Sequence, residues 1–270
     1  MIHVPFERRF AHPSEEQLRD PDYLSIWGSY EHGSLRWSDL YAYRCVVVLG
    51  EGKCGKTHEF KQQKQALQDQ GQAAFIVPLE LLQDGEFLDS ITAEEEEEFR
   101  DWLETSDAEA VFFLDAVDEL KLRKGTLRRA LRKIQTAVGA QTHRARFFVS
   151  CRPNDWTDEL DLQAVAALVA PIERIAEVSE APSGEEIFTA VIARDSGTQP
   201  DDGQETSDDT EEPVKVLALL PLSRNEIIEF ARLYAADHAD AFARHLEEKE
   251  LWHLYQLPAD IIAALDQLAV

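Results

Sequence analysis

Four short, almost wholly apolar runs recur along the middle of this 270-residue chain, each separated from the next by a helix-length stretch. They read CVVVL (45–49), AAFIVPL (73–79), AVFFLD (110–115) and ARFFVSC (145–151). Runs this short, rich in β-branched and aromatic residues and lacking polar alternation, suit strands buried on both faces. The intervening segments, 56–70, 93–104 and 126–138, carry helical patterns. The third is clearest, with Leu127, Ala130, Leu131, Ile134 and Val138 on one face. Strands alternating with helices of this length predict an α/β domain with a parallel sheet sandwiched by crossover helices.

The first run leads directly into GEGKCGKT, which satisfies G-x-x-x-x-G-K-[ST] at Gly50, Gly55, Lys56 and Thr57. A glycine-rich loop between a buried strand and a helix is a phosphate cradle. Its backbone N–H groups turn inward and the helix presents its positive end to an anion. Gly50, Glu51, Gly52, Lys53, Cys54, Gly55, Lys56, Thr57 and His58 are therefore the expected nucleotide contacts, although His58 can equally sit beside the loop without a role. Lys56 would bridge the β- and γ-phosphates, and the Thr57 hydroxyl would ligate Mg²⁺.

Two further strand ends carry the rest of the expected chemistry. Asp115 closes the third run and is the expected metal ligand. Asp118 and Glu119 follow it, spaced to polarise an attacking water. The fourth run ends in Ser150, Cys151, Arg152 and Pro153. An arginine at a strand's carboxyl end faces the ligand crevice of an open α/β sheet, so Arg152 is the expected reader of the γ-phosphate. The alternative readings are an acidic strand end that caps a helix and a surface arginine before a turn.

Composition narrows the partners. There are 52 acidic and 27 basic residues, a formal charge of −25, which opposes nucleic acid and anionic membranes. Three cysteines without a C-x-x-C pair, a secretory leader or a zinc spacing predict a cytoplasmic protein, and no apolar run reaches membrane-spanning length. Cys54 reads either as a small loop residue or as a thiol through which oxidation would affect nucleotide binding. The basic residues Arg123, Lys124, Arg128, Arg129, Arg132 and Lys133 form either a solvated helix face or a surface reaching a neighbouring subunit.

Three regions are expected. Residues 1–40 form a segment of short helices and loops, with Trp27, Leu35, Trp37, Leu40 and Tyr41 packing on the domain behind it. Residues 41–222 form the α/β domain. Within it, 158–177 is mainly helical, 185–193 and 214–222 form an inserted β-hairpin, and the acidic stretch 195–213 is disordered. Residues 223–270 form a helical arm. Ser223 with Glu226 makes a capping box, and Pro258 sits in the first turn of the last helix.

Taken together, Gly50–Thr57, Asp115-Ala116-Val117-Asp118-Glu119 and Ser150-Cys151-Arg152-Pro153 resemble the STAND class of P-loop NTPases, and most closely its NACHT branch. The stretch LLPLSRNEIIEFA resembles that family's junction into a helical arm, and the likeness covers roughly residues 40–270. It implies an ASCE (AAA-like) sheet in which another strand separates the Walker A and Walker B strands. It also implies ATP (or GTP) and Mg²⁺ as ligands, and slow hydrolysis used as a conformational or oligomerisation switch, as in bacterial antiphage defence or signalling. Pro258 corresponds to the arm proline that approaches the nucleotide. The chain departs from the family at Lys53, where a glycine is usual, and at Cys151, where a hydroxyl residue is usual. Family members also carry winged-helix, sensor and effector regions. The resemblance thus implies either a fragment or a chain that self-associates or works with a partner protein. Two rival readings remain open: a P-loop kinase of a small molecule, and a nucleotide-binding interaction module that does not turn over.

Overall fold

A computed structural model describes residues 6–13, 34–104, 107–170 and 214–268. The expected strand at 185–193, the acidic stretch 195–213 and Trp27 lie outside the described residues. A six-stranded, mostly parallel sheet forms the centre, with helices on both faces. Its strands are β1 (Phe10–Ala11), β2 (Cys45–Leu49), β3 (Ala73–Pro78), β4 (Ala110–Asp115), β5 (Ala145–Cys151) and β6 (Val214–Leu219), in the order β1-β6-β2-β5-β4-β3. Only β1 runs antiparallel, against β6. The strand carrying Asp115 is thus separated by β5 from the strand leading into the glycine loop.

Side-chain alternation along each strand divides the interior. In β2, Cys45, Val47 and Leu49 join one core, whereas Val46 and Val48 join the other. Both faces are apolar because helices cover both. On the first face lie α3 (Ala93–Glu104), α4 (Val117–Leu122), α5 (Leu127–Val138) and α6 (Asp158–Val169). On the second lie the short α1 (Trp37–Leu40) and α2 (Lys56–Asp69). The helical stripe read from 126–138 is buried at each of the five expected positions.

Aromatic residues set the register of the central strands. Phe75, Phe112 and Phe147 are Cα partners across β3, β4 and β5. Their rings stack with centroids 5.2 and 5.5 Å apart. On the opposite face Phe113 stacks on Phe148 at 5.3 Å. Such pairs add about 0.5–1.5 kcal/mol each beyond burial, and a one-residue slip would break both sets at once.

Two expectations need correcting. Residues 6–13 contribute a strand, β1, where only helices and loops were expected. Two residues of Phe10–Ala11 are too short to produce a periodic signal. The run 214–222 is not half of a separate hairpin, because its strand, Val214–Leu219, pairs in parallel with β2 inside the main sheet. Val214, Lys215 and Val216 are partly exposed, and the strand is buried from Leu217 onward.

The arm forms a third small core. Helices α7 (Arg224–Tyr234), α8 (Ala236–Lys249) and α9 (Pro258–Leu268) pack through Ile227, Phe230, Phe242, Leu246, Ile261 and Leu265. Glu226 accepts the Ser223 N–H at 2.7 Å, as a capping box requires. The same carboxylate takes a two-pronged bond from Arg9, at 2.8 Å on each oxygen, tying the N-terminal segment to the arm. Burial raises the Glu226 pKa, but the bonds from Arg9 and Ser223 outweigh it, and the net shift is downward. Among the described residues no helix is long and apolar enough to cross a membrane.

Phe112 contacts both stacking partners and the α3 aromatic residues Phe99 and Trp102. Phe112→Ala is expected to lower the unfolding free energy by about 3–5 kcal/mol, read from urea midpoints at unchanged slope.

Candidate functional site

Because β2, β3, β4, β5 and β6 run parallel, their carboxyl ends lie at one edge, where an open α/β sheet binds its ligand. Three polar segments emerge there: the loop Gly50–Gly55 after β2, the acidic turn after β4, and Arg152 after β5. The ends are latched to each other. The Gly50 N–H donates to the Cys151 carbonyl at 3.1 Å. The Ser150 hydroxyl donates to Asp115 Oδ1 at 2.6 Å and accepts the Ala116 N–H at 2.8 Å. Ser150 is completely buried, so this single side chain fixes both the carboxylate of Asp115 and the start of the turn that follows.

The loop folds around its own lysine. Lys56 Nζ donates to the Gly50 carbonyl at 2.6 Å and to the Glu51 carbonyl at 3.0 Å. Gly55, at φ 100°, takes a conformation closed to other residues without strain. A methyl group on Gly50 would stand 2.8 Å from Cys54 Sγ, so the glycine makes room for the buried thiol. Lys53, at φ 65°, holds the left-handed region with a side chain in place, at a cost of about 1 kcal/mol. The backbone there keeps a glycine-like conformation.

The acidic turn also passes through the left-handed region, at Ala116 with φ 66°. A small residue there limits the clash and lets the chain reverse from β4 into α4. Asp118 and Glu119 then enter the first turn of that helix. The two acids diverge in environment. Asp118 is buried and paired with Arg152, Nε to Oδ2 at 2.8 Å. Glu119 is exposed. Desolvation, followed by the carboxylates of Glu80, Asp118 and Asp115, raises the pKa of Glu119, and Arg152 opposes the shift.

Arg152 lies beside the loop as well. A Cβ placed on Gly52 would be 3.5 Å from its guanidinium carbon. Pro258, at the start of α9, stands 3.9 Å from the equivalent position on Gly55. The structure therefore brings Gly50, Glu51, Gly52, Cys54, Gly55, Lys56, Asp115, Asp118, Arg152 and Pro258 into one neighbourhood. Thr57 is exposed in the first turn of α2. His58 shares a 2.7 Å hydrogen bond with Gln62 one turn further along that helix.

A cavity of about 290 Å³ adjoins the loop. Its walls come from Gly50, Glu51 and Cys54, from the end of β6 at Ala218 and Leu219, and from the arm at Leu254, Gln256 and Leu257. Sequence reading missed Arg8, whose guanidinium is buried under the loop and donates to the Cys54 carbonyl at 2.7 Å. No local pattern marks it, because the partners are 46 positions apart.

The residues suit a magnesium–triphosphate group. Three cationic side chains, Arg8, Lys56 and Arg152, surround a glycine loop in a chain of net charge −25. Among the described residues no group of three His, Cys, Asp or Glu forms a metal cluster. A cation here would take the Thr57 hydroxyl, the Asp115 carboxylate and oxygens of a ligand, a donor set typical of Mg²⁺. No protein-family model matches the chain, and no curated protein matches it significantly.

Ser150→Ala would leave Asp115 Oδ1 and the Ala116 N–H without their shared partner. The expected cost is about 1–3 kcal/mol of stability, measured by chemical unfolding; a loss well below 1 kcal/mol would show that Ser150 does not hold the two strand ends.

Proposed function

We propose that the protein binds a nucleoside triphosphate with Mg²⁺, hydrolyses it slowly and uses the bound state as a conformational switch, in the manner of STAND and NACHT P-loop NTPases. The observation that carries this reading is the convergence of Arg8, Lys56 and Arg152 on a glycine loop at the carboxyl edge of a parallel sheet, in a strongly acidic chain. Lys56 rests on carbonyls and Arg152 on Asp118, so both can turn to an anion seated on the loop.

The roles follow from position. Lys56 exchanges the carbonyls of Gly50 and Glu51 for phosphate oxygens. Thr57 and Asp115 would hold the metal, which supplies charge neutralisation on the phosphates when bound. Glu119, exposed and raised in pKa, orients and deprotonates the attacking water. Asp118 holds Arg152 in reserve through their ion pair, and Arg152 turns to the γ-phosphate when that charge is present.

The switch rests on the cavity. Its walls belong to the loop, to β6 and to the segment before α9, so a base seated there joins the sheet to the arm. Ligand that contacts both bodies favours the closed arrangement by its differential affinity for it. Release of the arm would free surfaces for self-association or for a partner protein carrying sensor or effector domains.

Phosphate release and nucleotide retention measured on wild type, Lys56→Ala and Glu119→Gln, with ATP and GTP, test the proposal. Wild type turns over slowly. Glu119→Gln retains nucleotide without turnover, and Lys56→Ala binds about a hundredfold more weakly. Glu119 must be ionised to act, and its folded pKa is raised. Turnover therefore falls on acidification at a pH above the ordinary glutamate value of 4.5, and the same limb is absent from nucleotide binding. Equal retention by wild type and Lys56→Ala would contradict the reading.

A further inference from the structure

Arg8 lies outside every motif of the loop, yet it is the side chain that touches the loop from beneath. The residue is 2 % exposed. Nη1 donates to the Cys54 carbonyl at 2.7 Å, and Nη2 donates to the Leu220 carbonyl, just past β6, at 2.8 Å. The two bonds pin the loop to the end of a neighbouring strand. Nη1 is also 3.4 Å from where a Cβ on Gly55 would stand.

The orientation of one peptide follows. A trans peptide holds its C=O and N–H on opposite sides of the chain. The Cys54 carbonyl faces the buried guanidinium, so the N–H of Gly55 in the same peptide faces the open side of the loop. Among the described residues no backbone carbonyl accepts the N–H groups of Gly52, Lys53, Gly55 or Lys56. These are the donors that an anion would meet. The arginine's charge adds to the effect. Glu59, buried one turn into α2, lies within its field and is held by Trp37 Nε1 at 3.0 Å.

We propose that Arg8 is a positioning residue for phosphate binding, which holds the Cys54–Gly55 peptide so that the Gly55 N–H points at the phosphate and lends a buried positive charge beneath it. The assignment rests on the nucleotide reading above and deepens it. It also makes the N-terminal segment part of the site. Arg8 grips the loop while its neighbour Arg9 grips Glu226 of α7.

The test compares Mg–ATP and adenosine binding to wild type, Arg8→Lys and Arg8→Gln, alongside unfolding midpoints. Arg8→Lys keeps the charge but not the two-point grip, and Arg8→Gln loses both. ATP affinity is expected to fall about tenfold in the first variant and further in the second, while adenosine affinity stays at the wild-type value because the nucleoside has no phosphate. A loss shared equally by ATP and adenosine, or no loss at all, would overturn the assignment while leaving the nucleotide reading standing. Failure of wild type to bind ATP would overturn both. If the variants do not fold, the arginine side-chain ¹⁵N spectrum of wild type decides. The buried Arg8 signal should shift on saturation with Mg–ATP, and a signal indifferent to ATP would overturn the proposal.

Discussion

The parallel pairing of β2 with β5, and of β5 with β4, is the constraint from which the site follows. A parallel sheet buried on both faces leaves its peptide groups unpaired at the strand ends, and those groups must find partners there. Here they find each other. The Gly50 N–H meets the Cys151 carbonyl, and Ser150 binds both Asp115 and the Ala116 N–H. The loop, the acidic turn and Arg152 are held in mutual register by the same bonds that end the sheet. Shifting one strand by a residue would break the stacked phenylalanines and misplace the site together.

Electrostatics separates residues that look alike in sequence. Asp118 and Glu119 are adjacent acids, but one is buried against Arg152 and the other faces solvent with a raised pKa. That difference underlies the separate roles proposed for them, Asp118 holding an arginine and Glu119 addressing water. The same logic applies to the cations. Lys56 rests on two carbonyls rather than on a carboxylate, so no ion pair has to break before it meets an anion.

The sandwich and the loop were legible in the sequence because their signals are local. Strands such as CVVVL are apolar throughout, the stripe on α5 repeats at helical spacing, and the glycine loop is contiguous. Pro258 was legible only through the resemblance, and the fold brings it to Gly55. What was not legible depends on distant partners. Phe10–Ala11 becomes a strand because β6 offers an edge, and Val214–Leu219 joins the sheet because β2 does. Arg8 enters the site from 46 positions before Cys54, and nothing in FERRF distinguishes it from its neighbour Arg9. The left-handed conformations of Lys53 and Ala116 likewise arise from the turns they must complete, not from their own preferences.

The central claim is that the loop at Gly50–Thr57 is a nucleotide site. Calorimetric titration of the purified chain with Mg–ATP, beside Lys56→Ala, addresses it without relying on turnover. The account predicts saturable binding of one nucleotide per chain in wild type and its loss in the variant. Absence of binding in wild type, or identical isotherms for the two proteins, would contradict it.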